Sequence, residues 1–225
     1  MSNAIRGQAL SPEQYFALQE TGFQIPSMEE LFDFQVEALK RMEIQLTIQE
    51  VSEFRKMVPT GPLRLFLVIP RQMTVKSFDW ILGQIAKKIP GIDGAGNLNS
   101  SILEVLRSDA QYAGPHMLYF CDDDHSAVQQ FPQRRMQYFA THQTTPYTLW
   151  QLLMHLVVYP PIAGTHQLMA LGSVWEENGL IGKMSPVIQV AEGQLQIAMR
   201  TWKDTSSNCI YPSFRGHRAV VTSLQ

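Results

Sequence analysis

The segment Leu63-Arg64-Leu65-Phe66-Leu67-Val68-Ile69 has little polarity and is bounded by Gly61-Pro62 and by Pro70. A run of this length between turn residues favours a buried β-strand over a helix. Apolar side chains between Val75 and Ile89 then recur at three- or four-residue steps, which is the spacing of an amphipathic helix. The sequence therefore predicts a core strand followed directly by a helix that packs on it.

Two capping signatures precede this strand. Ser27 with Glu30, and Thr47 with Glu50, match the capping box, in which a hydroxyl and a carboxylate satisfy the first amides of a helix. Ser11-Pro12 predicts an earlier helix start, because proline is favoured in the first helical turn. The N-terminal part, residues 11–58, is therefore expected to be helical.

A second core strand is predicted at His116–Cys121, where Asp122-Asp123-Asp124 stops it. The glycine-rich stretch at 90–99 is interpreted as a surface loop, and Ser100 or Ser101 as the cap of a short helix. A short strand is predicted at Met136–Ala140. Thr145-Pro146 or Thr148 then starts a helix that ends near Pro160.

The last part of the chain changes to short segments between turn residues. Leu195, Ile197 and Met199 alternate with residues of the opposite face, which is the period of a β-strand. Glu192-Gly193 fits a tight hairpin between two such runs. These signals predict antiparallel strands over residues 167–215.

The predicted fold class is α+β, with N-terminal helices packed on a mixed sheet and a C-terminal antiparallel meander. We expect one domain over residues 1–225, because no long Pro/Ser linker divides the chain. It combines the helical part 11–58, a strand-helix part 62–160 and the antiparallel strands 167–215.

Composition excludes several classes of protein. The chain has 225 residues, is 45% hydrophobic and carries a formal net charge of −2, which argues against disorder and against dedicated nucleic-acid binding. No apolar run is long enough to span a membrane. The two cysteines cannot stabilise a chain of this size by a disulfide, and the first ten residues lack the apolar core of a signal peptide, so a cytoplasmic location is expected.

The sharpest local cluster is Asp122-Asp123-Asp124-His125 at the end of the second strand. Asp122, Asp124 and His125 offer oxygen and imidazole ligands for a divalent metal, which would support a metal-assisted hydrolase or transferase. The EF-hand pattern is excluded, because its required glycine and glutamate are replaced by Ala127 and Gln133. A solvated turn is the alternative interpretation.

Other catalytic patterns are weak or missing. The glycines from Gly91 to Gly96 do not match a phosphate-binding loop, and no Gly-x-Ser-x-Gly, His-Glu-x-x-His or Cys-x-x-Cys pattern occurs. Cys121 lies in an apolar strand and is expected to be inert. Cys209 is left open as a nucleophile, with a histidine such as His155, His166 or His217 as its base.

The favoured binding surface is the basic and aromatic C-terminal segment. Residues 126–225 hold seven Lys/Arg against four Asp/Glu, so they carry +3 while residues 1–125 carry −5. Arginine and histidine side chains there could bind a carboxylate or phosphate. The alternative is that they solvate the chain end or pair with N-terminal acids. The candidate residues are Arg200, Lys203, Tyr211, Arg215, His217 and Arg218.

Several segments in register resemble an uncharacterised bacterial family, a domain of unknown function of about this length. The resemblance begins at Phe32–Leu39, continues through Pro115–Asp122 and Pro146–Tyr159, and returns at Leu171–Ser173, Pro186–Trp202 and Arg215–Arg218. The family's tail has small residues around a cysteine, whereas Asn208-Cys209-Ile210-Tyr211 stands here. The resemblance implies a shared fold and a bacterial origin, and it brings no activity, cofactor or catalytic residue.

The leading hypothesis is a cytoplasmic, non-catalytic binding protein whose basic surface contacts a protein or a small anionic ligand. The alternative hypothesis is the metal-assisted enzyme at Asp122–His125, and only that alternative requires a cofactor, a divalent metal. A homodimer formed through the apolar helices is a third hypothesis.

Overall fold

A computed structural model describes residues 27–60, 65–71, 78–110, 114–122, 130–160, 162–176, 183–203 and 209–220. The predicted helix near residues 11–22 lies outside these residues. The described helices are α1 (Met28–Arg41), α2 (Ile48–Lys56), α3 (Phe78–Ala86), α4 (Ser100–Ala110), α5 (Pro132–His142), α6 (Leu149–Val158) and α7 (Ile162–Thr165). The described strands are β1 (Phe66–Ile69), β2 (Gly94–Ala95), β3 (His116–Tyr119), β4 (Thr145–Pro146), β5 (Gln167–Met169), β6 (Trp175–Glu176), β7 (Lys183–Ala191), β8 (Gln194–Thr201), β9 (Cys209–Ile210), β10 (Ser213–Phe214) and β11 (Gly216–Ala219).

Local capping chemistry starts three of the helices. Ser27 and Glu30 form the predicted capping box before α1, and Thr47 and Glu50 form the one before α2. Thr148 accepts the Gln151 amide before α6, while the Gln151 side chain accepts the Thr148 amide. Reciprocal bonds of this kind satisfy amides that have no partner inside the helix. These three helix starts confirm the sequence prediction.

The strands form three sheets. The first is antiparallel with the order β1-β3-β11, and the second pairs β10 with β4. The third has the order β2-β8-β7-β5-β9, with β6 also paired to β7. Its centre is the long antiparallel hairpin of β7 and β8, which turns at Glu192 and Gly193 with φ values of 52° and 73°. A two-residue turn with positive φ at both positions has a twist that matches the right-handed twist of the flanking strands. The predicted hairpin is therefore confirmed.

The main core lies between the helices and the three sheets. One buried cluster draws side chains from Leu31 near the first helix to Val220 after the last strand. A smaller cluster lies on the other face of the six-stranded sheet, where Phe139 of α5 packs on Val187 and Tyr211. Helix α6 is buried at every position from Leu149 to Val158, which explains its lack of a polar face. The α+β class is therefore confirmed.

Three local predictions were wrong. Met136–Ala140 belongs to helix α5, which starts at Pro132 and buries Arg135 and Phe139 one turn apart. The stretch 90–99 contains the short strand β2, which pairs in parallel with β8. The side chain of Asn99, rather than Ser100 or Ser101, accepts the Ile102 amide at the start of α4 (2.9 Å).

The C-terminal strands do not continue as a simple meander. Strand β9 runs parallel to β5 in the six-stranded sheet, β10 pairs with β4, and β11 pairs with β3. The antiparallel meander is therefore limited to β5, β7 and β8 with β6 at its side. This division of the tail places β11 at an edge of the three-stranded sheet.

Candidate functional site

The six residues predicted for the binding surface lie in three different environments. Arg215, His217 and Arg218 are exposed in or beside the edge strand β11. Arg200 and Lys203 lie at the end of β8 in the other sheet, and Tyr211 is buried. We call Arg215, His217 and Arg218, together with the backbone of β11, the basic edge.

Backbone pairing with β3 holds the basic edge in place. His217 lies opposite Leu118 and Arg218 lies opposite Met117 in the antiparallel register. The amide of Arg215 donates to the carbonyl of Tyr119 (3.1 Å) just before the strand begins. Since neighbouring residues of a strand point to opposite faces, the side chains of His217 and Arg218 flank the edge from both sides of the sheet.

His217 rests on two aromatic rings. Its ring centroid is 6.3 Å from that of Phe214 and 6.4 Å from that of His116, and both contacts are edge-on. Phe214 is buried beside Tyr147, with 5.9 Å between the ring centroids. The imidazole of His217 is therefore exposed but has a rigid aromatic support beneath it.

The hydrogen bonds of His116 determine its tautomer. The Gln151 side-chain oxygen accepts from the Thr148 amide, so the Gln151 nitrogen is the group that lies 3.1 Å from His116 Nε2. Nε2 must then accept, and Nδ1 carries the proton that is donated to the Gly114 carbonyl (2.7 Å). Burial and the nearby His217 lower the pKa of His116 against the effect of the Gly114 bond, in agreement with a neutral ring.

Arg218 lies on the face of the sheet that holds Tyr119. The phenol of Tyr119 donates to the Met57 carbonyl (3.0 Å), which connects β3 with the end of α2. Burial raises the pKa of Tyr119, and the positive charge of Arg218 opposes that increase. The charged group near the Tyr119 phenol is therefore the guanidinium of Arg218, and the phenol is neutral, so it is not a carboxylate partner for that guanidinium.

The acids of the described chain do not neutralise the basic edge. Its four described ion pairs all lie within or between α1 and α2, and they use Lys40, Arg55 and Lys56 as cations. Arg215 and Arg218 form no salt bridge with any acidic side chain that the structure describes. The predicted alternative, pairing of the tail with acids of the N-terminal helices, is not found among these residues.

Arg200 is engaged in the six-stranded sheet. Its guanidinium donates to the side-chain oxygen of Gln167 (2.6 Å) and to that of Gln189 (3.2 Å). Tyr211 donates its hydroxyl proton to the Gln130 carbonyl beneath helix α5. Burial and the neighbouring Cys209 raise the pKa of Tyr211. The sequence prediction placed Arg200 and Tyr211 on the same surface as Arg215, His217 and Arg218. The fold places both residues away from the basic edge.

The two cysteines are buried free thiols. Burial raises the pKa of the Cys209 thiol to about 11, although the charge of Arg200 opposes the change. A thiol with such a pKa is protonated at neutral pH and is a poor nucleophile. Of its predicted bases, His155 is also buried, and burial lowers its pKa to about 4. These environments favour packing roles for Cys121, Cys209 and His155.

The predicted metal cluster lies only partly within the described residues. Asp122 is exposed, and its backbone exchanges two hydrogen bonds of 2.9 Å with Ser213. Asp124 and His125 lie outside the described residues, so the metal hypothesis stays a prediction. Within the described ranges no group of three His, Cys, Asp or Glu side chains is arranged to hold a metal ion.

Two backbone amides of the glycine-rich stretch before α4 are hydrogen-bonded to the β7–β8 hairpin. The Asp93 amide donates to the Gly193 carbonyl (2.8 Å), and the Gly96 amide donates to the Leu195 carbonyl (2.9 Å). Amides that are already bonded to a strand cannot cradle a phosphate. The structure therefore agrees with the rejection of a phosphate-binding loop.

Sequence reasoning missed a buried glutamine in the three-stranded sheet. It lies at the β1 edge, opposite the basic edge. Gln35 of α1 is completely buried; its side-chain nitrogen donates to the Phe66 carbonyl (3.0 Å), and its oxygen accepts the Val68 amide (2.9 Å). It takes the place of a neighbouring strand on the outer side of β1. The signal was a polar residue within the apolar stripe of α1, between Leu31 and Ala38.

A buried carboxylate behind the sheet was also missed. Asp109 of α4 accepts the hydroxyl proton of Ser173 (2.5 Å), and the Ser173 oxygen in turn accepts the Leu149 amide at the start of α6 (2.7 Å). Burial raises the pKa of Asp109 to about 6, although the hydrogen bond from Ser173 opposes the change. Asp109 therefore joins α4, α6 and the turn at Ser173, and its charge depends on pH near neutrality.

No described helix is both long and apolar enough to cross a membrane. Comparisons with models of protein families, with curated proteins and with solved structures found no match to this chain. The resemblance to an uncharacterised bacterial family therefore stays a prediction. What remains for a functional argument is the geometry of the basic edge.

Proposed function

We propose that this protein is a non-catalytic, cytoplasmic binding protein that captures an acidic partner protein on the basic edge. One observation carries the proposal: Arg218 on β11 and Arg215 directly before it are exposed and form no ion pair with the acids of the described residues. The planar guanidinium of arginine can bind a carboxylate through two parallel hydrogen bonds, and it loses less freedom per bond formed than a lysine ammonium does.

Hydrogen-bond donors on both faces of the edge strand also provide selectivity. Arg218 on one face, His217 on the other and Arg215 at the start place donors on three sides of the same edge. Carboxylates attract such donors through charge-assisted hydrogen bonds, whereas a basic partner is repelled. The proposal thus expects binding that depends on the sign of the partner's charge and weakens with salt.

Fluorescence anisotropy tests the proposal with a labelled peptide of alternating glutamate and threonine. We expect this peptide to bind, and a lysine-threonine peptide of equal length not to bind. The double substitution Arg215→Glu and Arg218→Glu should weaken binding more than about tenfold, since two charge-assisted contacts become repulsive. The thermal midpoint should stay unchanged, because both side chains are exposed.

The matched control reverses two exposed cations elsewhere, with Lys87→Glu and Arg134→Glu. It changes the net charge by the same amount and should leave peptide binding within about twofold. Equal loss in both double variants would show only long-range attraction and would refute a site at the basic edge. Displacement of the peptide by millimolar inorganic phosphate would instead indicate a small anionic ligand as the natural occupant.

A further inference from the structure

The hydrogen bonds of Gln35 show which way the backbone of β1 points. Because Gln35 bonds the Phe66 carbonyl and the Val68 amide, these groups point away from β3. Successive residues of an antiparallel strand alternate between bonding the neighbour and pointing away from it. Leu67 and Ile69 are therefore the residues of β1 that exchange hydrogen bonds with β3.

The same alternation continues across β3 to the far edge. Leu67 and Ile69 lie opposite Leu118 and His116, which leaves Met117 and Tyr119 to bond β11. Their partners in β11 are Arg218 and Gly216. The bond from the Val220 amide to the Pro115 carbonyl (2.8 Å) falls in the same pattern. His217 and Ala219 therefore direct both their N–H and their C=O groups away from the sheet.

The outer side of β11 is open within the part of the chain that the structure describes. The sheet order ends at β11, so no described strand lies beside the outward-pointing amides of His217 and Ala219. Residues 216–219 contain no proline and pair one to one with β3, while the Arg215 amide before them also donates to the Tyr119 carbonyl. An open edge of this kind is a template on which another extended chain can add a strand.

The charges of the edge select the kind of chain that fits. A second copy of this protein would bring another set of arginines against Arg215 and Arg218, and like charges across a strand pair are destabilising. An extended segment rich in Asp and Glu instead brings carboxylates to Arg218 on one face and to His217 on the other. Charge complementarity therefore favours an acidic partner over self-association at this edge.

We propose that β11 receives an extended acidic segment of a partner protein as a fourth strand of the three-stranded sheet. The segment bonds the N–H and C=O groups of His217 and Ala219, and its carboxylates contact Arg215 and Arg218. This inference rests on the proposed function, because it uses the same edge and the same charge. It adds that the partner is extended and that recognition includes its backbone.

Backbone methylation of the peptide separates strand addition from attraction between charges. A glutamate-threonine peptide with N-methyl groups on all its amides keeps its carboxylates but has no backbone donor to offer. Strand addition predicts that this peptide binds at least about tenfold more weakly than the unmodified one. Equal affinity for the two peptides would overturn strand addition, while the loss of binding in the Arg215→Glu, Arg218→Glu variant would still uphold the proposed function.

A substitution in the protein tests the same contact from the other side. Ala219→Pro removes an outward-pointing N–H without changing any charge, and proline is tolerated at an edge where the N–H faces solvent. We expect about fivefold to tenfold weaker peptide binding with an unchanged thermal midpoint. Ala219→Ser keeps the N–H and is the matched control. Unchanged affinity in the proline variant would count against the contact.

Amide hydrogen exchange gives a readout that follows the alternation itself. Adding the unmodified peptide to the full chain should slow exchange at His217 and Ala219 at least about tenfold, since both amides gain a partner. Exchange at Arg218 and Val220 should change little, because the register directs the Arg218 amide toward β3 and the Val220 amide donates to the Pro115 carbonyl. Equal slowing at all four residues would indicate general stabilisation and would overturn the inference.

Two further outcomes are decisive. If neither acidic peptide binds, both the proposed function and strand addition are wrong. If light scattering shows a dimer that Ala219→Pro converts to a monomer, the occupant of the edge is a second copy, and the acidic partner is wrong.

Discussion

The two edges of the three-stranded sheet differ in whether their outward-pointing N–H and C=O groups are hydrogen-bonded within the protein. At β1 the outward-pointing carbonyl of Phe66 and the amide of Val68 are both bonded by the buried Gln35. At β11 the outward-pointing groups of His217 and Ala219 face no other described strand. One edge is closed by a side chain of the same molecule, and the other is exposed and flanked by cations.

Under the proposed function, the closed edge contributes to stability and the open edge to binding of the partner. Closing the β1 edge from within allows helix α1 to cover it, since a buried backbone group without a partner would cost about 1–3 kcal/mol. The β11 edge carries no such cost while water can reach it, because water bonds the exposed groups. The contrast predicts that substitutions at Gln35 affect stability, while those at β11 affect binding.

Amide exchange of the protein alone gives the largest expected contrast. The Val68 amide is bonded to a completely buried side chain and should be protected at least about a thousandfold, or about 4 kcal/mol. The Ala219 amide points away from β3 and should exchange nearly as fast as an unstructured peptide. Val220, whose amide bonds the Pro115 carbonyl, is the neighbouring control and should be protected. Similar protection at Val68 and Ala219 would break the comparison.

Gln35→Leu tests the closed edge directly. Leucine fills a similar volume but leaves the Phe66 carbonyl and the Val68 amide buried without partners, so unfolding should become easier by about 3 kcal/mol. Urea denaturation monitored by tryptophan fluorescence measures the change. Gln49→Leu makes the same substitution at an exposed position of α2 and should change stability by less than about 0.5 kcal/mol. Equal losses in the two variants would show that Gln35 has no special role.

The buried groups behind the sheet should make stability depend on pH. The pKa of Asp109 is about 6 in the folded protein and its ordinary value is 3.8, so its contribution to stability is full below pH 4 and is lost as the pH rises through 6. The pKa of His155 is about 4 against an ordinary 6.5, so its contribution is full above pH 6.5 and is lost as the pH falls toward 4. The two effects have opposite signs in the same range of pH.

Asp109→Asn removes one of these two opposing contributions. Between pH 6.5 and pH 4 the variant should lose about 2 kcal/mol more stability than the wild type, since about two pKa units are involved. Urea denaturation at several values of pH measures the difference between the two proteins. Parallel pH profiles would contradict an elevated pKa at Asp109. The basic edge should not contribute to this dependence through Arg215 or Arg218, because arginine stays charged throughout.

Signals within a few residues predicted the elements of the fold well. The capping pairs at Ser27, Thr47 and Thr148 each start a helix, and Glu192-Gly193 makes the hairpin. Such patterns succeed because all partners of the interaction lie within one turn of the chain. The wrong strand prediction at Met136–Ala140 has the opposite cause. Helix α5 buries an arginine beside a phenylalanine, so its buried face carries little of the usual apolar signal.

Pairing between distant segments could not be predicted from one sequence. Arg215, His217 and Arg218 are exposed, as a binding surface requires, but Tyr211, which the sequence prediction grouped with them, is buried by the fold. Nothing local indicates that β11 leaves the meander to join β3, because strand choice depends on long-range contacts. The roles of Gln35 and Asp109 likewise depend on partners far along the chain.

The path of the tail through three sheets has a consequence for how the protein forms during synthesis. Strand β3 is complete at Tyr119, yet its second neighbour begins at Gly216, so about a hundred residues must emerge from the ribosome between them. Until then β3 has a vacant side, and the nascent chain carries an open strand in place of the finished edge. The ribosome-bound intermediate is therefore the stage at which this protein most needs protection by a chaperone.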